Sequence, residues 1–139
     1  MRILCETFIP LLAGALIWAG VRSARPPLAL YAGTLAALAL VYLLTWADRR
    51  QGWWAGWGLD FSTHTAIATV LVVALGFHGW RWLAAGAVAL AGYAFVMVSL
   101  GYHTPPDIAT SAVAVLPLCL GCTLGARSWR RSTASPGPP

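Results

Sequence analysis

The chain has 139 residues, of which 59% are hydrophobic and only 9% charged, and its formal net charge is +5. Soluble domains usually carry about a quarter charged residues, so this composition excludes a water-soluble globular protein and predicts a one-domain integral membrane protein. The positive charge is all arginine, and the arginines flank apolar stretches instead of forming one patch, which argues against a nucleic-acid partner.

Five apolar stretches predict an all-α, integral membrane bundle of five transmembrane helices. Each is close to the ~20 residues that a helix needs to cross the hydrocarbon core of a bilayer. We expect residues 1–126 to form this bundle and residues 127–139, which are basic and rich in Pro and Gly, to form a disordered tail. The predicted spans are residues 3–20, 28–46, 64–80, 82–100 and 106–126.

Small residues spaced four apart indicate where these helices touch. Ala85 and Ala89 have this spacing in the fourth span, and Gly121 and Gly125 have it in the fifth. Helices in lipid associate through such small residues, because the backbones can then approach closely. The spacing predicts that the fourth and fifth spans pack inside the bundle.

The distribution of arginine predicts how the bundle lies in the membrane. Cytoplasmic loops carry an excess of Lys and Arg, so the face with more arginines is assigned to the cytoplasm. This gives a multi-pass protein of the plasma (inner) membrane, with an extracytoplasmic amino terminus and a cytoplasmic carboxyl terminus. The predicted cytoplasmic face has Arg22, Arg25, Arg81, Arg127, Arg130 and Arg131, and the other face has Arg2, Arg49 and Arg50.

Two polar blocks stand at predicted helix starts. The first is Asp60-Phe61-Ser62-Thr63-His64-Thr65 and the second is Gly101-Tyr102-His103-Thr104-Pro105-Pro106-Asp107. The two histidines are ~40 residues apart, which is enough for one helix to cross the bilayer and another to return. Both imidazoles are therefore predicted at the same, extracytoplasmic membrane face, where they could form one site.

In the second block, His103 and Asp107 are four residues apart and share a face if the turn is helical. An aspartate there can accept a hydrogen bond from one imidazole nitrogen and leave the other as a nucleophile or base. The alternative is that Asp107 only caps the helix and His103 is an interfacial histidine.

In the first block, Ser62 and Thr63 precede His64 at a helix N-terminus, where hydroxyls and free backbone N–H groups can hold an anion. The alternative is a simple N-cap by Asp60 or Ser62, with His64 at the surface. Because the two blocks are predicted to face the same side, a joint site is favoured over two separate structural roles.

These blocks resemble two motifs of the type-2 phosphatidic acid phosphatase family, membrane phosphatases that act on lipid phosphates and diphosphates. The family's second motif reads Pro-Ser-Gly-His, where this chain has Phe61-Ser62-Thr63-His64. Its third motif reads Ser-Arg, five residues, His, three residues, Asp, and its second half matches His103 to Asp107. The resemblance covers roughly residues 45–125 and implies the family's six-helix core without its first helix. The sphingolipid-synthase branch has a similar block, so a transferase stays open.

The resemblance also implies a mechanism that needs no metal or other cofactor. His103 would attack phosphorus to form a phosphohistidine, and Asp107 would orient it. His64 would protonate the leaving oxygen, while Ser62, Thr63 and nearby amides would hold the phosphate. The implied substrate is a lipid phosphate or polyprenyl diphosphate. The alternative is a catalytically silent relative that binds lipid headgroups or scaffolds a membrane partner, and an oligomer stays open.

The chain departs from the family in its basic residues. The first family motif is a lysine, six residues, then Arg-Pro; this chain has no lysine, and its Arg25-Pro26 pair lies in another loop. The arginine of the third motif falls on Met97. Such cations stabilise charge in phosphoryl transfer. Arg49 and Arg50 are the predicted replacements, since guanidinium groups bind phosphate bidentately; the alternative is that they end the second span and pair with Asp48.

Overall fold

The computed structural model of the protein describes residues 2–23 and 28–133. Residue 1, the segment 24–27 with its Arg-Pro pair, and residues 134–139 of the predicted tail lie outside the described residues. The described chain is all-helical, and those ranges contain no strand. The helices are α1 (Arg2–Val21), α2 (Leu28–Gln51), α3 (Trp53–Gly56), α4 (Thr63–Gly76), α5 (Trp80–Ser99) and α6 (Pro105–Thr133).

Each of the five predicted apolar stretches is helical, but the helices differ in length. Helices α2 and α5 and the Pro105–Ala126 part of α6 are long and apolar enough to cross a membrane. The apolar helix Thr63–Gly76 is shorter. A helix of 14 residues, such as α4, rises about 21 Å, which is less than the ~30 Å of a hydrocarbon core. Helix α6 continues past residue 126 through the first part of the predicted tail.

The outer surface of the bundle suits a lipid environment. Leu35 on α2, Val88 and Phe95 on α5, and Val113 on α6 are all largely exposed. Soluble proteins rarely expose apolar side chains so continuously. Exposed tryptophans lie near both ends of the helices, as expected for rings at the two membrane interfaces. They are Trp18 and Trp80 near one end, and Trp46, Trp53 and Trp57 near the other.

Helix α4 is the central element of the bundle. Ten of its residues are buried, because α1, α2, α5 and α6 all pack around it. The prediction that small residues place the fourth and fifth spans innermost is wrong for those residues. Ala85 and Ala89 on α5 face outward, and so do Gly121 and Gly125 on α6. The four-residue spacing misleads here because alanine and glycine are frequent on every face of these two helices.

Gly33 lies at a close contact between α2 and α6. A Cβ atom at this position would lie 2.8 Å from the carbonyl oxygen of Cys122 and 2.8 Å from Cα of Thr123. Both neighbours are backbone atoms, which cannot turn away as a flexible side chain could. Glycine is therefore required where the two longest helices of the bundle meet.

The polar ends of the helices meet at one end of the bundle. Thr45 Oγ1 on α2 lies 3.2 Å from Thr63 Oγ1 on α4, and the Ser62 N–H donates to Ser111 Oγ on α6 at 2.8 Å. Thus α2 and α5 end, and α4 and α6 begin, at this end, which we term the polar end. At the opposite end, Ser23 Oγ after α1 lies 3.5 Å from His78 Nδ1 after α4.

Trp54 holds the loop that covers the polar end. Its indole N–H donates to Thr110 Oγ1 at 3.1 Å, and its backbone N–H donates to Asp48 Oδ1 at 2.9 Å. Its ring also packs edge-on against Phe61, with centroids 4.7 Å apart. The side chain is buried, so Trp54 belongs to the core, unlike Trp53 and Trp57 beside it. This loop is therefore fixed against both α2 and α6.

We expect Gly33→Ala to lower the free energy of unfolding by about 1–3 kcal/mol, because the added methyl group forces α2 and α6 apart. The measurement is thermal unfolding of the purified protein in detergent. Gly121→Ala is the matched control, because a Cβ there meets no atom within 4 Å. Equal stability of the two variants, or a larger loss in Gly121→Ala, would contradict this packing.

Candidate functional site

A cavity of about 790 Å³ reaches the polar end, and both predicted histidines line it there; we call this polar part its mouth. His64, in the first turn of α4, and His103, in the loop before α6, both line it. The cavity lies between α1 and α2, with α4 behind it. Its volume is within the range of small-molecule sites in proteins, roughly 300–1,000 Å³.

The lining changes from polar to apolar along the helices. Leu38 lies two turns before Thr45 on α2, and Leu71 lies about two turns after Thr63 on α4. At 1.5 Å per residue, the apolar part extends roughly 10 Å from these threonines. The polar lining residues include Tyr42, Thr45, Asp48, Arg49, Asp60, Thr63, His64 and His103, and the apolar ones include Ile9, Ala13, Leu38, Ile67 and Leu71.

Asp107 joins the two polar blocks to each other. Its Oδ1 accepts a hydrogen bond from the Asp60 N–H at 2.8 Å. Its Oδ2 accepts one from the Thr104 N–H and one from Thr104 Oγ1, both at 2.7 Å. The carboxylate is buried and does not line the cavity. Both of its oxygens are thus committed to the two loops, and neither makes the predicted hydrogen bond to the His103 ring.

The carboxylate that lies beside His103 is that of Asp60. Asp60 Oδ2 is 3.2 Å from His103 Nδ1, a contact at ion-pair distance that lacks hydrogen-bond alignment. The Asp60 side chain is 73% exposed and lines the cavity, whereas the His103 side chain is only 12% exposed. The predicted pairing of histidine and aspartate therefore occurs with a different aspartate, contributed by the first block.

Ser62 has a structural position and does not line the cavity. It is fully buried and is the N-cap of α4, where its Oγ accepts from the Thr65 N–H and lies 2.9 Å from Thr65 Oγ1. The capping alternative thus describes Ser62 better than the predicted role in phosphate binding. Thr63, the other predicted phosphate-binding residue of this block, does line the cavity.

Arg49 and Arg50, the predicted phosphate-binding arginines, occupy different positions. Arg49 lines the cavity. Arg50 does not line it, and its guanidinium lies 5.6 Å from the ring centre of Trp46. The alternative of a pair with Asp48 is not seen in the described residues, because Asp48 Oδ1 instead accepts from the Trp54 N–H.

Among the described residues, one permanently charged cation lines this cavity. Among the lining residues of the described chain, Arg49 is the sole arginine, and the position of the family's motif arginine is Met97, a buried apolar side chain. The described residues also contain no group of three or more His, Cys, Asp or Glu close enough to hold a metal ion. The described groups that could meet an anion in this cavity are Arg49, the two imidazoles and the hydroxyl of Thr63.

Comparison with protein-family models, with curated proteins and with solved structures gives no match to this chain. The likeness to the type-2 phosphatidic acid phosphatase family therefore stays a prediction from the two polar blocks. The positions of the side chains around the cavity do not depend on that likeness.

Asp60 is the residue of this site that the sequence prediction missed. In the sequence, Asp60 is a candidate only for the N-cap of the helix that contains His64. A signal is present, since Asp60 belongs to the first block and lies four residues before His64. Sequence spacing favoured Asp107 because it is four residues from His103, whereas Asp60 is brought to His103 only by folding.

We expect Asp107→Ala to lower the free energy of unfolding by about 2–5 kcal/mol, because it leaves the N–H groups of Asp60 and Thr104 without their acceptor. The measurement is thermal unfolding in detergent. Asp60→Ala is the control, since an exposed side chain contributes about 0.5 kcal/mol or less. A loss in Asp60→Ala as large as that in Asp107→Ala would show that Asp107 does not hold the loops.

Proposed function

We propose that this protein is an integral-membrane phosphatase that acts on a lipid phosphate or polyprenyl diphosphate through a phosphohistidine intermediate. The observation that supports it best is the cavity itself. It places two imidazoles and an arginine at a polar mouth, and continues into an apolar part between α1 and α2. An anionic headgroup suits the mouth, and the attached hydrocarbon chain suits the apolar part.

The chemistry needs a nucleophile, an acid and charge stabilisation. A ring nitrogen of His103 attacks the terminal phosphorus and an N–P bond forms. The P–O bond to the leaving group breaks at the same time, and that group is the lipid alcohol of a monophosphate or the polyprenyl monophosphate of a diphosphate. Protonated His64 gives its proton to the leaving oxygen. Water, deprotonated by His64, then cleaves the N–P bond and releases inorganic phosphate. Arg49 and Thr63 stabilise the negative charge on the phosphoryl oxygens throughout.

In this proposal all five long or apolar helices, α1, α2, α4, α5 and α6, are embedded in the bilayer. The short α4 is enclosed by the others, so its polar start lies deeper than the end of α2. Thr63 lies beside Thr45, and α2 continues to Gln51, about 9 Å further. The arginine distribution places the polar end and the amino terminus on the extracytoplasmic face of the plasma (inner) membrane and the carboxyl terminus in the cytoplasm. A headgroup of the outer leaflet would then enter at the depth of the histidines.

The shortage of positive charge favours a second candidate. With Met97 at the position of a family arginine and Arg49 as the single arginine of the described cavity lining, a silent relative would still bind a lipid headgroup or scaffold a membrane partner. Binding without turnover separates the two candidates. In an oligomer, another chain could supply the cation that turnover requires.

We expect the purified protein in detergent to release phosphate from lipid phosphates or polyprenyl diphosphates. His103→Ala should abolish release because the nucleophile is lost, and His64→Ala should lower kcat by about 10²–10⁴-fold because the acid is lost. His78→Gln is the control, since His78 lies at the opposite end of the bundle. A soluble phosphate ester without a hydrocarbon chain should be a poor substrate.

Two results would contradict the enzyme. Equal release by the wild-type, His103→Ala and His64→Ala proteins would attribute it to a contaminant. Binding of lipid phosphate to vesicle-reconstituted protein without any release would support the silent alternative.

Arg49→Ala should lower kcat/KM by about 10²-fold, because the cavity loses the arginine that stabilises the phosphoryl oxygens. Arg50→Ala removes the same charge from the neighbouring position outside the cavity and should change kcat/KM by roughly twofold or less. Steady-state kinetics of both variants tests this. Equal losses would mean that the arginines act only through the general charge of this membrane face.

A further inference from the structure

His103 Nδ1 has no role in the proposed mechanism, and its surroundings show which group could be its hydrogen-bond partner. This nitrogen is buried, and no described group makes an aligned hydrogen bond to it. A buried polar atom without a partner costs free energy, so such atoms are rare outside functional sites. The nearest opposite charge is Asp60 Oδ2, at 3.2 Å.

Asp60 can supply that partner because its backbone is fixed while its side chain is free. Its N–H donates to Asp107 Oδ1 at 2.8 Å, which anchors the backbone next to the second block. Its side chain is 73% exposed and its Oδ2 lies 3.2 Å from His103 Nδ1, so the carboxylate is within reach of the ring nitrogen. Asp107 thus acts on His103 indirectly, because it holds the backbone of Asp60, the residue that faces the histidine.

The other charged groups around His103 do not compete for this contact. Asp48 lines the same cavity, but it lies on α2 and its Oδ1 is bound to the Trp54 N–H. Asp107 has both oxygens committed to Asp60 and Thr104. Arg49 has only hydrogen-bond donors, and so does His64 when it is protonated to serve as the acid. Neither can then accept a hydrogen bond from the Nδ1–H of His103.

We infer that Asp60 is the positioning residue of His103, in place of the Asp107 implied by the family resemblance. The inference rests on the proposed function. Asp60 accepts the Nδ1–H of His103, which leaves the lone pair of Nε2 for phosphorus. As the Nε2–P bond forms and the P–O bond breaks, the ring becomes cationic, and the Asp60 carboxylate stabilises it, as carboxylates do for catalytic imidazoles generally.

The test combines kinetics with a signal from the His103 ring itself. In protein labelled with ¹⁵N-histidine, at about pH 8, the ¹⁵N chemical shifts show which ring nitrogen carries the proton. His103→Gln assigns the signals among the three histidines of the chain. We expect Nδ1–H to predominate for His103 in the wild type and to lose that predominance in Asp60→Ala.

The kinetic arm should show kcat falling by about 10²-fold or more in Asp60→Ala, with KM changed by roughly twofold or less. Asp60→Glu keeps a carboxylate and should recover a large part of kcat. Asp48→Asn is the matched control, because it removes a negative charge from the same cavity and should leave the His103 signals unchanged.

The outcomes separate this inference from the proposed function. Identical His103 signals in the wild type and Asp60→Ala, or an unchanged kcat in Asp60→Ala, overturn the role of Asp60. A wild-type protein without phosphate release overturns the proposed function alone, and the ring signals still decide whether Asp60 holds Nδ1–H.

Discussion

The polar end of this protein depends on one buried carboxylate. Asp107 accepts hydrogen bonds from Asp60, 47 residues earlier in the chain, and from Thr104 in its own loop. Hydrogen bonds from backbone N–H groups to an ionised carboxylate are stronger than neutral ones, and a negative charge in the first turn of α6 is favoured by the helix dipole. These bonds set the distance between the loops that carry Asp60 and His103. Asp107 therefore has a structural role, and its hydrogen bonds determine the shape of the mouth of the cavity.

The second constraint is the length of α4. A helix of 14 residues is too short to cross a hydrocarbon core, yet it is the most buried helix of the bundle. Longer neighbours surround it, and their backbone groups are satisfied within their own helices. Because α2 continues past the level at which α4 begins, the cavity that His64 lines extends along the side of α2.

The polar part of the cavity contains few charged side chains. Its polar lining contains Asp48, Asp60 and Arg49, together with the two imidazoles. Under the proposed function, the positive charge that a phosphoryl group requires comes from Arg49 and from the imidazoles as they gain a proton or a phosphoryl group. Because these groups are few, each of them carries a large share of the stabilisation under that proposal.

The amino-acid sequence by itself determined the all-helical, apolar character of the chain, the positions of its five apolar helices, and the two blocks that supply His64 and His103. These properties are local, since hydrophobicity, helix length and turn residues act over neighbouring positions. Only the tertiary structure decided that α4 is central, that Gly33 rather than Gly121 makes the close helix contact, that Ser62 caps a helix, and that Asp60 rather than Asp107 faces His103. Each of these depends on which residues meet across the bundle, and spacing along a chain carries no information about atoms brought together from different helices.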